Sequence, residues 1–159
     1  MITRKPMTEE VRNKIANYIK NQEDISDLIE NYQIKNEYLC GAIIKRFNRV
    51  QEDIQNTNFS RCIIGEEGSV TNLVGSNFRG SNFSNSRFLG NVWFRSCDLR
   101  NCNFNNAWLP GVEYQYADLR NISLCDAYLR IGSKSGFQAK FSKNVFELLA
   151  KYIQLDVQK

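Results

Sequence analysis

Histidine is absent from this 159-residue chain. The sequence therefore offers no Ser–His or Cys–His nucleophile pair and no imidazole ligand for a metal. Its thiols are Cys40, Cys62, Cys97, Cys102 and Cys125, an odd number without a Cys-x-x-Cys pair. Carboxylates are scattered, and no regular spacing gathers two of them into one pocket. No glycine-rich phosphate loop is present. These residues predict no catalytic group, no metal site and no cofactor, and the chain reads as a non-enzyme. The remaining chemistry is that of contact. Lys45, Arg46 and Arg49 form a basic cluster, Trp and Tyr residues recur in the second half, and the net charge is +4.

The elements that must position these groups are set by a repeat. From Ser76 the chain reads SNFRG, SNFSN, SRFLG, and after one extra residue VWFRS, CDLRN, CNFNN, AWLPG, VEYQY, ADLRN, ISLCD, AYLRI. A large apolar residue recurs every five positions: Phe78, Phe83, Phe88, Phe94, Leu99, Phe104, Leu109, Tyr114, Leu119, Leu124, Leu129. Two positions before each stands a smaller one, such as Ser76, Cys97, Cys102 or Ala117. A period of five fits neither a helix nor a flat strand. It fits a coil that turns a corner once per unit, with the centre residue and the residue two before it inward. One unit buries too little apolar surface to stand alone, whereas stacked units share a continuous core. TNFSRCII at 57–64 supplies two further units, GEEGS at 65–69 interrupts as a loop, and Leu73 centres the next unit.

The units, ADLRN and CDLRN above all, resemble the pentapeptide repeat family, written A(D/N)LXX. The resemblance implies an all-β solenoid, a right-handed quadrilateral β-helix with four units per turn and one unit per face. It implies little about function, because one fold hosts many roles; with no catalytic group in the sequence, the chain is expected to be a protein-interaction module or scaffold. Some relatives dimerise through C-terminal segments, and some act as DNA mimics that bind type II topoisomerases such as gyrase.

With four units per turn, positions twenty apart become neighbours. Asp98 then stacks on Asp118 and Arg100 on Arg120, and across the inserted residue Asn77 and Arg79 join the same face. An arginine ladder, Arg79–Arg100–Arg120, is expected beside Asn77–Asp98–Asp118. The two columns would neutralise one another on a solvated face, or dock a partner through arginine bonds to carboxylate or phosphate. A second face is expected to stack Trp108 on Tyr128 near Leu89 and Pro110. Exposed Trp and Tyr favour a partner site.

The flanks read as helical. Residues 1–56 are expected to form an N-terminal cap of about three helices. Thr8 is the first N-cap, with Val11, Ile15, Tyr18 and Ile19 on one face. Asp24 starts the second, and its stripe is Ile25, Leu28, Ile29 and Tyr32. A third from Asn36 turns Tyr38, Leu39, Ala42, Ile43, Phe47 and Val50 inward and Lys45, Arg46 and Arg49 outward. That outline also suits a helix-turn-helix with these three cations near DNA. Residues 57–131 form the β-helix. Residues 132–159 supply a turn and a C-terminal helix, N-capped by Ser142, that caps the coil or pairs two copies through Phe146, Leu149, Tyr152 and Ile153. The expected partner is a protein, with a homodimer, a topoisomerase, DNA or a phage-like assembly as alternatives. The free thiols and the polar first residues suit a cytoplasmic protein. No stretch is long and apolar enough to span a membrane.

Overall fold

The computed structural model describes residues 4–131, 140, 143–145 and 147. Their backbone forms a parallel β-solenoid of about four turns. The first face runs through Leu73, Phe94 and Tyr114, and the second through Phe78, Leu99 and Leu119. The third runs through Phe83, Phe104 and Leu124, and the fourth through Phe88, Leu109 and Leu129. All twelve side chains are buried except Leu129, which is partly so.

Three corners close in the same way. The residue two after each centre has a positive φ, as at Gly75, Ser96 and Tyr116, Gly80, Asn101 and Asn121, or Asn85, Asn106 and Asp126. A four-residue turn with a left-handed third residue favours glycine and asparagine there. The turn closes by a backbone hydrogen bond, such as Ser81 N to Phe78 O at 2.9 Å and Ala107 N to Phe104 O at 3.0 Å. The residue before each centre explains the Asp/Asn preference. Its side chain accepts from the backbone N–H two residues on: Asn77 from Arg79 (3.1 Å), Asp98 from Arg100 (3.1 Å), Asn103 from Asn105 (2.9 Å). This Asx bond spares the corner an unsatisfied donor.

At the fourth corner Leu89, Gly90, Pro110 and Gly111 are not left-handed and the chain runs through largely as strand; in the preceding turn Gly65 and Gly68, with positive φ, open the 65–69 loop there. Among the described residues seven strands result: β1 Ile43–Ile44, β2 Ile63–Ile64, β3 Val70–Asn72, β4 Arg87–Phe88, β5 Asn91–Trp93, β6 Trp108–Glu113 and β7 Tyr128–Ile131. All pair in parallel, in the order β1-β2-β4-β6-β5-β3, with β7 on β6. Both irregularities of the repeat fall at this corner. The 65–69 loop lies against Gly90, where a Cβ would stand 2.4 Å from Ser69 O. The extra residue between Phe88 and Phe94 therefore accommodates the loop of the preceding turn.

Aromatic rings fill the middle of the coil. Phe83 stacks between Phe59 and Phe104, 4.9 Å from each, with Phe94 edge-on to Phe78 at 5.9 Å. Small inward residues satisfy their polar atoms on the neighbouring turn. Ser81 Oγ donates to Ile54 O (2.9 Å), and the thiols of Cys62 and Cys102 donate to Leu39 O and Phe78 O (3.0 Å each).

At the N-terminus, α1 (Glu9–Lys20) begins at Thr8, whose hydroxyl accepts from Val11 N at 3.3 Å, and it buries Val11 and Ile15. Asp24 accepts from Ser26 N (2.9 Å) at the start of α2, Ser26–Ile29. The third helix expected from Asn36 is absent. Asn36 and Gly41 carry φ of +59° and +81°, so this segment is an earlier turn of the coil. Tyr38 pairs with Asn58, and β1 pairs with β2. Leu39, Ala42 and Phe47 are buried as expected, but Tyr38 and Val50 face solvent. The coil therefore begins well before residue 57. At the other end, residues 143–145 and 147 are helical and Val145 is buried. The expected turn at 132–136 and the N-cap Ser142 lie outside the described residues. Among the described residues no helix is long and apolar enough to cross a membrane.

Candidate functional site

The second face gathers the expected ladder. Asn77 pairs with Asp98 and Asp98 with Asp118, and the row extends to Asp53 below and Lys140 above. Arg100 grips Asp98 with Nε at 2.8 Å and a terminal nitrogen at 2.5 Å, and Arg120 holds Asp118 at 2.8 and 2.6 Å. Arg100 also reaches Asp118 at 3.7 Å. The Arg100 hydrogen bonds hold the Asp98 carboxyl below its ordinary range, and those of Arg120 do the same for Asp118. Lys35 pairs with Asp53 at 2.7 Å. Arg79 sits on Asn77 and has no ion pair among the described residues. The ladder therefore mostly neutralises itself within each unit, and its exposed pairs are worth little individually.

The fourth face differs. Trp108 and Tyr128 stack at 3.9 Å with their rings 11° apart, and remain 42% and 45% exposed. Strand register places them in one column, Ile43–Ile63–Arg87–Trp108–Tyr128. Lys45, Gly65, Leu89, Pro110 and Arg130 run beside it, two residues on. Around the fourth corner, Arg95 lies over the Trp93 ring at 4.5 Å and pairs with Glu113. Flat, half-exposed aromatic residues held on paired backbone present a large contact area with little entropy left to lose.

The N-terminal cations do not form a nucleic-acid surface together. Lys45 and Arg46 are exposed, and Arg46 pairs with Asp27. Arg49 is 2% exposed and occupies an inward centre position. Its guanidinium donates to Ile29 O (2.6 Å), Tyr32 O (3.0 Å) and Glu52 (3.0 Å). It thus ties the end of α2 to the coil. Burial pushes its pKa down while Glu52 opposes the shift. Reading Arg49 as a DNA contact is corrected by this burial.

Cys62, Cys97 and Cys102 hold the inward small position as expected. Burial pushes the first two thiols up to about 12 and raises the third as well. Among the described residues no group of three His, Cys, Asp or Glu side chains could hold a metal. Phe146, Leu149, Tyr152 and Ile153, the expected self-association residues, lie outside the described residues.

Sequence reasoning missed the partners of Trp108 and Tyr128 on the fourth face, namely Ile43, Ile63, Arg87 and Arg130. The signal was present. LCGAII at 39–44 and FSRCII at 59–64 align twenty residues apart, which places Ile43 under Ile63.

A model of the pentapeptide repeats (9 copies) matches residues 73–122. A search of curated proteins finds no match. Among solved structures, the chain is similar to a pentapeptide repeat protein of the Arabidopsis thaliana thylakoid lumen, at 15% identity and a TM-score of 0.32. That match covers 67% of this chain and 59% of the other, so the chain spans less than two thirds of that relative. A pentapeptide repeat protein of the cyanobacterium Cyanothece is 18% identical, covering 69% and 89% of the two chains, with a TM-score of 0.34. QnrB1, a plasmid-mediated fluoroquinolone resistance protein, in a trypsin-treated form, is 15% identical over 76% and 90%, with a TM-score of 0.22.

Proposed function

This chain carries pentapeptide repeats, and from that premise we propose that it is a non-enzymatic module that binds another protein through the fourth face of its coil. The observation behind this reading is the Trp108–Tyr128 stack, half-exposed on the parallel sheet. Aromatic anchors fixed on paired backbone are the usual centre of a protein interface. The second face carries Arg79, Arg100 and Arg120, but the charges of Arg100 and Arg120 are already answered by Asp98 and Asp118, so it comes second as a docking surface. The free cysteines suit work in a reducing compartment such as the cytoplasm.

The test is affinity capture from native cells with nuclease, comparing the wild-type chain with the Trp108→Ala/Tyr128→Ala double variant. A protein retained after nuclease and lost with the double variant is the expected result. Prey lost with nuclease would transfer the function to nucleic acid. A topoisomerase retained by both chains would place the activity elsewhere on the surface.

A further inference from the structure

The charges of the fourth face follow a pattern of their own. Its five rows are headed by Ile43, Ile63, Arg87, Trp108 and Tyr128 in parallel register, with Lys45, Gly65, Leu89, Pro110 and Arg130 two residues further along the chain; the register shifts between Leu109 and Val112, so Arg130 stands at an irregularity of the ladder. Cations stand in the first, third and fifth rows. Lys45, Arg87 and Arg130 are all exposed, and none has an ion pair among the described residues. Within these five rows neither column holds a carboxylate; the row below begins at Asp24, which pairs with Ile43 and accepts from Ser26 N and Lys45 N, so Arg87 and Arg130 are the cations farthest from a carboxylate on this face. This contrasts with the second face, where Arg100 and Arg120 each hold an aspartate of their own unit. Rows in a parallel coil are about 4.8 Å apart, so along the coil axis successive cation-bearing rows stand roughly 10 Å apart, with Arg87 in the first column and Lys45 and Arg130 in the second. Apolar side chains, Ile63 and then Trp108, fill the rows between them.

Three occupants can be weighed against this pattern. A second copy packed face to face, antiparallel about the Arg87 row, would set Arg87 against Arg87 and Lys45 against Arg130. A parallel copy would set each cation against itself. Both bring unpaired like charges together, which an isologous interface avoids. Single-stranded nucleic acid binds by slotting bases against free ring faces. Here Trp108 and Tyr128 cover one another's inner faces at 3.9 Å, leaving no gap between them for a base. A protein segment with carboxylates flanking an apolar side chain answers both the charge and the shape.

We propose that the fourth face docks an extended acidic segment of a partner protein, running along the coil axis. This rests on the reading of that face as a docking surface. An extended chain advances about 3.3 Å per residue, so a spacing of roughly 10 Å calls for carboxylates three residues apart. The segment carries Asp or Glu at every third position and a large apolar residue between. Arg87 and Arg130 pair with the carboxylates, bidentate where geometry permits. The apolar residue covers the edges of Trp108 and Tyr128.

The test uses the full chain as bait for a phage-displayed library of random twelve-residue peptides. Enriched peptides are expected to carry acidic residues three apart around an apolar one. For a synthetic copy of the selected peptide, Arg87→Glu should weaken binding about tenfold or more, and so should Trp108→Ala. Changing the facing glutamate of the peptide to lysine should restore binding to the Arg87→Glu chain, which a merely misfolded variant could not show. Arg100→Glu, on the opposite face, should leave affinity unchanged. Uncharged or basic peptides, no enrichment, or indifference to Arg87→Glu would each overturn the proposal. A (dT)20 probe that binds and is lost with Arg87→Glu, without peptide selection, would overturn it in favour of nucleic acid. If a native partner is still lost with the Trp108→Ala/Tyr128→Ala chain while selected peptides are not acidic, the docking face stands and its chemistry fails.

Discussion

Replacing Arg49 separates structure from function at the N-terminal end of the coil. The guanidinium sits where other units place Phe, Leu or Ile, and it holds two carbonyls and Glu52. Truncation to alanine removes three charge-assisted bonds, each worth roughly 1.5–3 kcal/mol. It also takes from Tyr32 O its guanidinium donor, whereas Ile29 O still accepts from Tyr32 N at 3.0 Å. Glu52 is not orphaned, because Arg4 holds it at 2.7 Å, which keeps the loss towards the lower end for a broken buried pair. The expected cost of Arg49→Ala is about 3 kcal/mol. For a chain of this length that is a drop in Tm of roughly 6–12 °C. Arg49→Met refills the apolar volume and should cost less, about 2 kcal/mol. Arg46→Ala, which removes only an exposed pair with Asp27, should cost under about 1 kcal/mol. Urea titrations followed by circular dichroism compare the three. Equal, small losses for Arg49→Ala and Arg46→Ala would refute the argument that the buried guanidinium joins cap to coil.

Other consequences can be checked alongside. Phe83→Ala removes the ring stacked between Phe59 and Phe104 and should cost about 3–5 kcal/mol by denaturant titration, whereas Ser84→Ala should stay within about 0.5 kcal/mol. Iodoacetamide at pH 8, read by intact mass, should modify exposed Cys125 and half-buried Cys40 before any other thiol, with Asp126 slowing Cys125 by raising its thiol pKa. Cys62, Cys97 and Cys102 should react only after unfolding, since burial keeps them as thiols. Asp98 and Asp118 titrate below their ordinary range in the folded chain. Their contribution is therefore complete above the unfolded aspartate value and is lost as pH falls through the lowered folded one. Acid titration should show the wild type losing stability below about pH 4, with a shallower loss for Asp98→Asn/Asp118→Asn.

The part of the molecule legible in sequence was the part where one physical demand acts on each position. From Leu73 to Leu129 every centre points inward, so the period of five is plain, and a spacing of twenty correctly placed Arg100 on Arg120 and Trp108 on Tyr128. Residues 36–50 misled because Leu39, Ala42, Ile43 and Phe47 also satisfy a helical stripe. The discriminating residues were Asn36 and Gly41, which occupy left-handed corners and would be unfavourable inside a helix. Arg49 was misplaced with them, since a cation at a repeat centre is intelligible only once its three acceptors are seen. The fourth face was half legible for the same reason. Its aromatic end lies in the regular repeat, while Ile43 belongs to the turn mistaken for a helix.

The most direct measurement of the central claim is site-specific photocrosslinking in native cells. A benzophenone amino acid replaces Tyr128 on the fourth face, or Arg79 on the second, in otherwise wild-type chains. The account predicts a discrete protein adduct from position 128, insensitive to nuclease, and none of that mass from position 79. An adduct from position 79 alone, or no protein adduct from position 128, would contradict it.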